Sequence, residues 1–356
     1  MKRVIAVLSL LMTILCMSCS HLGHGGYEPI KANLVQAGLD VYDWIAADDS
    51  VLLAYNYYDS LMCHVLSDSR DSICLKDRFV YKGRGPGEFF LPVFTYDSDD
   101  GTLYVFETGR NTSNKMAVIS VELEDKASSM RVMELMGCKD YSGGTAFTHL
   151  KGAQFLCLDF DFDAGGLLYM LDSDLQTMDK IYYPLCEQNT KNPWLDGMVH
   201  TVNATIYFNR SLSKLAYACG EGRYLEIMDY DPQNGTIRNR RPVLTILPEY
   251  EGRVLGNGME TYRIINDKYR GIKARMTENR IYVTYENESS SMPIEGYPKF
   301  YRDLIDVFDW NGNKVQSFQT DRPFGSFVVS KNDRYLYTVS QETDTANQIV
   351  CRYPLP

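Results

Sequence analysis

The sequence predicts an all-β protein, a six-bladed β-propeller with four-stranded blades. A short unit, in which turn residues precede an apolar and often tyrosine-rich strand, recurs six times at spacings of 51 to 66 residues. A repeat of about fifty residues with several short strands is typical of propellers. Tyrosine (26 residues) and phenylalanine (15) are abundant, and both favour strands. Few helices are expected, because no long stretch shows a 3.6-residue apolar periodicity.

Each repeat is recognised by a polar turn followed by its strand. The turn over 210–213 precedes the strand over 214–218, and the turn over 331–333 precedes the strand over 334–337. The six strands are centred on Leu53, Tyr104, Leu156, Ala216, Tyr282 and Tyr337. Further strands are predicted over 116–121, 224–229 and 304–309. The glycine-containing runs at 231–235 and 309–313 have the composition of hairpin turns.

The two ends of the propeller are predicted to meet. The last repeat contains strands over 327–330, 335–340 and 348–352, which leaves it without a fourth strand. Residues 30–38 precede the first repeat and belong to none. We expect them to pair with residues 348–352 and close the ring, because such a pairing removes an exposed sheet edge.

Residues 1–18 have the composition of a lipoprotein signal peptide. Lys2 and Arg3 precede an uncharged stretch over 4–17, which is short for a membrane span. Residues 15–19 resemble a lipobox, and we expect acyl groups such as palmitate on Cys19 to hold the chain on a membrane surface. Simple secretion with cleavage nearby is the alternative. Residues 19–29 predict a flexible tether that leads into the propeller over 30–356.

Charge and cysteine usage exclude several functions. The formal net charge of −10 argues against a nucleic-acid partner, because phosphate contacts need a basic surface. Seven cysteines follow Cys19 and none lies in a Cys-x-x-Cys pair, so a zinc ribbon or redox pair has no support. Most thiols are expected to be reduced and buried. A bridge between Cys63 and Cys74, which flank a predicted hairpin, stays open.

Residues 81–89 read Tyr-Lys-Gly-Arg-Gly-Pro-Gly-Glu-Phe. This run resembles the G-x-G-P-G-E-F signature of the TolB-like six-bladed β-propeller lipoproteins of Gram-negative anaerobes. The resemblance covers the chain from about residue 30 to its end. It implies the fold and a location in the cell envelope, such as the outer membrane, but no active site, because that family has no generally established catalytic role. Residues 20–23 lack the acidic run that resembles a surface-export signal in this group, which favours periplasmic exposure.

Propeller topology predicts which face carries the long loops. Within a blade the strands a to d run outwards from the axis and alternate in direction, so the d–a and b–c connections share one face. The long connections over 82–92, 184–204 and 246–270 are of the d–a type, and 286–302 is of the b–c type. Long loops often serve function, so this face is the predicted binding surface, although capping of the channel would explain them equally.

The candidate contacts on this face combine aromatic and polar side chains, which suit sugars or peptides. They are Arg84, Glu88, Trp194, Asp196, His200, Tyr297, Lys299 and Tyr301. The alternative is that these loops pack on one another and that Arg84 and Glu88 belong to a turn tying neighbouring blades. We therefore expect a non-catalytic binding or scaffolding propeller with a protein or glycan partner, and no cofactor.

A calcium site is the main chemical alternative. Asp159, Asp161 and Asp163 alternate, so on a strand they would share one face, although solvation explains them as well. No nucleophile elbow, P-loop, HExxH or EF-hand motif is present.

The second function considered is a calcium-dependent hydrolase or lactonase with its site in the channel. It would need acidic or amide side chains converging from several inner strands. Asp97, Asn209 and Glu278 are candidates at strand ends.

Overall fold

A computed structural model of the protein describes residues 26–48, 51–107, 115–121, 130–134, 146–151, 154–161, 165–172, 177–182, 193–256, 258, 260–265, 271–285, 302–341 and 347–356. Strands dominate these residues, and the predicted all-β propeller is confirmed. The chain opens with two short strands, β1 (Glu28–Ile30) and β2 (Leu34–Ala37).

The first three blades follow in chain order. The first contains β3 (Asp43–Ala47), β4 (Val51–Tyr55), β5 (Leu61–Asp68) and β6 (Ile73–Lys82), and the short β7 (Glu88–Phe89) lies parallel to β6. The second contains β8 (Pro92–Asp97), β9 (Thr102–Glu107), β10 (Lys115–Ser120) and β11 (Met130–Glu134). The third contains β12 (Ala146–His149), β13 (Phe155–Asp161), β14 (Gly165–Leu171) and β15 (Thr177–Tyr182).

The remaining blades are preceded by a helix, α1 (Pro193–Thr201). The fourth contains β16 (Thr205–Asn209), β17 (Lys214–Cys219), β18 (Arg223–Asp231) and β19 (Thr236–Ile246). A separate hairpin of β20 (Tyr250–Val254) and β21 (Glu260–Ile264) follows. The last strands are β22 (Ile272–Met276), β23 (Ile281–Tyr285), β24 (Arg302–Phe308), β25 (Lys314–Val329), β26 (Tyr335–Gln341) and β27 (Gln348–Pro354).

The inner strands form a closed ring. Each blade contributes one, and they contact one another in the order β3, β8, β12, β16, β22, the second half of β25, and β3 again. Apolar side chains fill the space between blades, as where Phe106 of the second stacks on Phe147 of the third at 3.9 Å between ring centroids. Buried tyrosines also pack here, because their hydroxyls reach polar partners at blade edges, such as the 2.8 Å bond from Tyr285 to Asp306.

The fifth and sixth blades share one continuous strand. The 16-residue β25 pairs with β24 through its first half and with β26 through its second half, with irregular register around Phe324. Its first half is therefore the outer strand of the fifth blade, and its second half is the inner strand of the sixth. The sequence analysis had predicted a separate strand over 327–330 for the second half and had named none for the first.

The predicted pairing of the chain ends is present, with a refinement. β2 pairs antiparallel with β27, from Leu34 opposite Arg352 to Ala37 opposite Ile349, and completes the sixth blade. Ile30 is not part of this pairing. It belongs to β1, which lies parallel to β25 on the fifth blade.

Helix α1 lies inside a segment that the sequence analysis assigned to a loop, so that assignment was wrong. Pro193 suits the first helical position, where an N–H would have no intrahelical partner. Leu195 and Val199, four residues apart, are buried, and the helix packs on β13 and β14. Asn203 follows with a φ of 57°, a conformation common just after helix ends.

The predicted hairpin turn at 309–313 is present, and one side chain holds its backbone. In the predicted turn at 309–313, the Asp309 carboxylate accepts the N–H groups of Asn311 (2.8 Å) and Asn313 (2.9 Å). Cys63 and Cys74 are not bridged, and Cys74 is exposed. The other described cysteines are buried thiols outside any disulfide, whereas Cys138 and Cys186 lie outside the described residues. No helix in the described part of the chain is long and apolar enough to cross a membrane.

Candidate functional site

The inner strands enclose a central cavity of about 290 Å3. Every inner strand contributes to its wall, through residues that include Ile45, Phe94, Phe147, Tyr207, Arg275 and Val328. The volume lies near the lower end of the range for small-molecule sites, and the mixture of apolar and charged lining suits ligand binding. The cavity has two ends, and charged side chains are paired at each of them.

At the a–b end, ion pairs cross the channel between blades that are not neighbours. Arg210 of the fourth blade donates to Asp97 (3.2 Å) and Asp99 (3.0 Å) of the second. Lys331 of the sixth blade reaches the same Asp99 at 2.9 Å and the Ser98 carbonyl at 3.1 Å. The second blade's turn is therefore tied to two blades across the axis, and this end of the channel is bridged by protein.

Asp97 is the most constrained carboxylate at this end. Its side chain is buried and bonds to both Arg210 and His149. Burial would raise the pKa of Asp97, but the hydrogen bonds from His149 and Arg210 outweigh it and hold the pKa far below its usual range. Asp97 therefore stays ionised, and its oxygens are already used by two protein groups.

Glu278 and Asn209, the other channel candidates from the sequence, lie at the same end. The Tyr207 hydroxyl donates to the Glu278 carboxylate at 3.3 Å, and Asn209 Nδ2 donates to the Glu278 carbonyl at 2.8 Å. The Asn209 side-chain oxygen accepts from the Leu212 N–H at 3.0 Å, which fixes the turn after β16. Among the described residues, no three His, Cys, Asp or Glu side chains form a cluster that could hold a metal ion.

At the d–a end, ion pairs also join blades that are not neighbours, since Lys273 and Arg275 of the fifth blade reach Asp43 of the first. Lys273 Nζ lies 2.7 and 2.8 Å from the Asp43 carboxylate oxygens, and Arg275 Nη2 lies 3.1 Å from the same carboxylate. Ser326 also bonds to Asp43. Burial lowers the pKa of Lys273 to about 8, although Asp43 opposes this shift. Two cations share one carboxylate here, so this cluster carries a net positive charge.

Sequence reasoning missed this second cluster, because its members come from opposite ends of the chain. Lys273 and Arg275 alternate with buried Ala274 on β22, and Asp43 begins β3. Charged residues that alternate on a predicted inner strand were the only available signal. Their partner could not be identified until the ring brought the first and fifth blades together.

The glycine-rich run at 81–89 forms a fixed turn. The Glu88 carboxylate accepts the Gly85 N–H at 2.8 Å, so the amide that could have faced a bound anion is used within the chain. A side chain at position 83 would collide with this carboxylate, and Gly87 has a φ of 77°. Exposed Arg84 lies over the Phe90 ring at 4.6 Å.

The second blade anchors this turn. Lys115 Nζ donates to the carbonyls of Gly85 (2.7 Å) and Glu88 (3.1 Å), and the Glu107 carboxylate accepts the N–H of Phe90 (2.6 Å) and Leu91 (3.2 Å). This geometry agrees with a turn between neighbouring blades rather than an anion site. The connection to the neighbouring blade is made by Lys115 and Glu107, not by Arg84 and Glu88.

Three of the predicted rim residues lie on α1 rather than on an exposed loop. Asp196 and His200 are buried, so their placement on an exposed rim was wrong. His200 Nδ1 donates to the Asp196 carbonyl at 2.8 Å. Burial raises the pKa of Asp196 to about 6 and lowers the pKa of His200. For Trp194 only its position in the helix is described.

The structure describes only some of the remaining predicted residues. Tyr297, Lys299, Tyr301 and Cys19 lie outside the described residues. Of the three aspartates considered for calcium, Asp159 is fully buried on β13, Asp161 ends that strand, and Asp163 lies outside the described residues.

Comparison with known proteins agrees with the fold. Residues 44–332 match the family model described as TolB-like 6-blade propeller-like. The chain is similar to the crystal structure of a DUF4221 family member from Bacteroides vulgatus (TM-score 0.54, 12% identity, covering 90% of this chain and 95% of that one). It is also similar to a luciferin-regenerating enzyme (TM-score 0.50, 12% identity, the same coverage). At such identities the likeness concerns the fold alone. A search of curated proteins finds no match.

Proposed function

Because this chain belongs to the TolB-like six-bladed propeller family, we propose that it is a binding propeller without chemistry of its own. Its ligand or partner, a protein or a glycan, contacts the face that carries the d–a and b–c connections, around the mouth of the central cavity. A lipid on Cys19 holds the propeller at the membrane of the cell envelope, on the periplasmic side.

The observation that carries this proposal is that charged side chains are paired with one another at both ends of the channel. At the a–b end, Asp99 receives Arg210 and Lys331 from across the axis. At the d–a end, Lys273 of the fifth blade donates to Asp43 of the first and to Ser326 of the sixth, which lies between them. A rigid, pre-paired lining favours binding over chemical change. We assign the contact to the d–a face because the long connections over 82–92, 184–204 and 246–270 belong to it.

The calcium-dependent hydrolase fits these residues less well. A cation bound by Asp97 would face the Arg210 guanidinium, which lies against the same carboxylate. The two functions are separated by heating the purified protein with calcium and then with a chelator. We expect equal melting temperatures, since binding of calcium to the folded state would raise the value. A calcium-dependent rise that the chelator removes would favour the enzyme.

Photo-crosslinking tests which face is used. A photoreactive amino acid replaces Arg84 on the d–a face, or exposed Ser211 in an a–b turn, in the full-length protein in intact membranes. We expect adducts from position 84 and few from position 211. Adducts that form equally at both positions, or only at 211, would contradict the assignment of the binding face.

The membrane anchor has its own test. Cys19→Ala should abolish incorporation of labelled palmitate and release the protein into the soluble fraction, because the acyl chains supply the membrane affinity. Retention of the variant on membranes would show that another contact holds it. Protease added to intact and to permeabilised cells reports the side, and digestion only after permeabilisation is expected.

A further inference from the structure

Four aromatic rings form a continuous row from the surface to the cavity. Tyr58 contacts Tyr42 at 5.7 Å between ring centroids, Tyr42 contacts Tyr55 at 6.4 Å, and Tyr55 contacts Phe94 at 5.2 Å. Phe94 lines the cavity. We call Tyr58, Tyr42, Tyr55 and Phe94 the aromatic row. The exposed fraction of each residue falls from 78% at Tyr58 and 53% at Tyr42 to partial burial at Tyr55 and Phe94.

Topology places this row at the d–a end of the channel. Tyr42 directly precedes β3, at the d–a end of an inner strand, and Tyr58 lies in the b–c turn between β4 and β5. These two connection types share one face, which is the face of the proposed function. Tyr42 also precedes Asp43, so the row lies beside the positive cluster of Lys273 and Arg275.

The row is available to a ligand. Two large aromatic side chains are mostly exposed beside each other on a face that also carries the exposed Tyr81 and Leu91, and such clustering marks binding surfaces. The hydroxyls of Tyr42, Tyr55 and Tyr58 form no hydrogen bond with the part of the chain that the structure describes. Each could donate to a ligand and accept from it.

We propose that the aromatic row is a carbohydrate-binding site, in which sugar rings stack on the exposed tyrosine faces and the terminal sugar of the oligosaccharide enters the cavity. This inference rests on the proposed binding function and names its ligand class. Tyrosine suits sugars because the ring packs against apolar C–H groups while the hydroxyl bonds to sugar hydroxyls. The net positive charge of the cluster of Asp43, Lys273 and Arg275 would attract an acidic group on the terminal sugar.

A peptide fits the same surface less well. A peptide strand needs free main-chain donors and acceptors. In the turn beside the row, the Asn56 N–H already donates to the Met62 carbonyl at 2.8 Å, and the Tyr58 N–H donates to Asn56 Oδ1 at 3.0 Å. What this surface offers is ring faces and hydroxyls.

The test is a binding titration of the purified full-length protein with a neutral maltooligosaccharide and an acidic oligogalacturonide. At least one is expected to bind. Tyr58→Ala should weaken that binding about three- to tenfold, as loss of one aromatic contact predicts, and the Tyr42→Ala/Tyr58→Ala double variant should abolish it. Tyr58→Phe should keep most of the affinity, because it retains the ring. Tyr250→Ala, in the β20–β21 hairpin, is the matched control and should bind like the unaltered protein.

Tyrosine nitration followed by mass spectrometry locates the bound sugar. The probe should protect Tyr42 and Tyr58 but not Tyr250. Carbohydrate binding that Tyr58→Ala leaves unchanged, with no protection of these tyrosines, would overturn this site. If neither probe binds while crosslinks form at position 84, the carbohydrate assignment fails and the proposed function stands. If crosslinking also fails at position 84, both are rejected.

Discussion

Replacement of Arg352 by methionine tests how the ring is held closed. Arg352 lies on β27 opposite Leu34 and reaches across to the first blade. Its Nη1 lies 2.6 Å from Asp68 Oδ1 and 2.7 Å from the Ser69 carbonyl, and its Nη2 lies 2.7 Å from the Arg70 carbonyl. The Arg352 and Asp68 side chains are only 7% and 5% exposed, so solvent screens this pair little.

The expected loss follows from that burial. Methionine keeps most of the apolar volume of the arginine side chain but removes its charge. Among the described side chains, the buried Asp68 carboxylate then keeps only the hydrogen bond from the Tyr337 hydroxyl, at 2.6 Å. Removal of one member of a buried ion pair lowers the free energy of unfolding by about 3–5 kcal/mol. An exposed ion pair would lose less than about 1 kcal/mol.

The assay is urea denaturation followed by intrinsic fluorescence, with the transition midpoint compared at unchanged slope. Arg334→Met, an exposed arginine of the same blade, is the control and should stay within about 0.5 kcal/mol. In a double-mutant cycle with Asp68→Asn, a coupling energy of about 1–3 kcal/mol is expected. A loss below about 1 kcal/mol for Arg352→Met would refute the reasoning.

Three further predictions concern single contacts. Lys115→Met should loosen the turn at 81–91, because Lys115 holds the Gly85 and Glu88 carbonyls, and trypsin should then cut faster after Arg84; an unchanged rate would mean that Glu107 alone fixes the turn. Burial lowers the pKa of Lys273 to about 8, so between about pH 8 and 10.5 the unfolded chain binds more protons than the folded protein. The free energy of unfolding should therefore rise over this pH range relative to that of Lys273→Met. Urea titrations of both proteins at several pH values would measure the difference. Burial raises the pKa of Asp196 to about 6, so ionisation of this carboxyl lowers the free energy of unfolding as the pH rises towards 6. Asp196→Asn should therefore stabilise the protein at pH 7 and have little effect near pH 4. Equal changes in the free energy of unfolding at both pH values would be inconsistent with the raised pKa.

The parts of the fold that could be predicted depend on local sequence patterns or on the number of strands in each repeat. The repeats were visible because a short polar turn precedes each second strand, as at 331–333 before Tyr335. The pairing of β2 with β27 was predicted from a missing fourth strand, which is a property of topology and needs no side-chain detail. Composition alone placed the hairpin turns at 231–235 and 309–313.

What could not be predicted depends on distant partners or on short elements. The nine residues of α1 contain Gly197 and span too few turns to give a clear helical period. The fusion of two strands into β25 was hidden, since Pro323 and Gly325 interrupt the run and usually mark a break. The cluster of Asp43 with Lys273 exists only because the ring joins residues 230 positions apart.

The continuous β25 has a consequence for how the molecule opens. Elsewhere in the described ring, neighbouring blades lie in separate sheets, and such units can fluctuate separately. The fifth and sixth blades cannot, because one backbone ladder runs through both, and β1 and β2 add to the same sheet. In native-state hydrogen exchange their amides should exchange together and late, so the junction of the two chain termini would be among the last regions of the propeller to exchange.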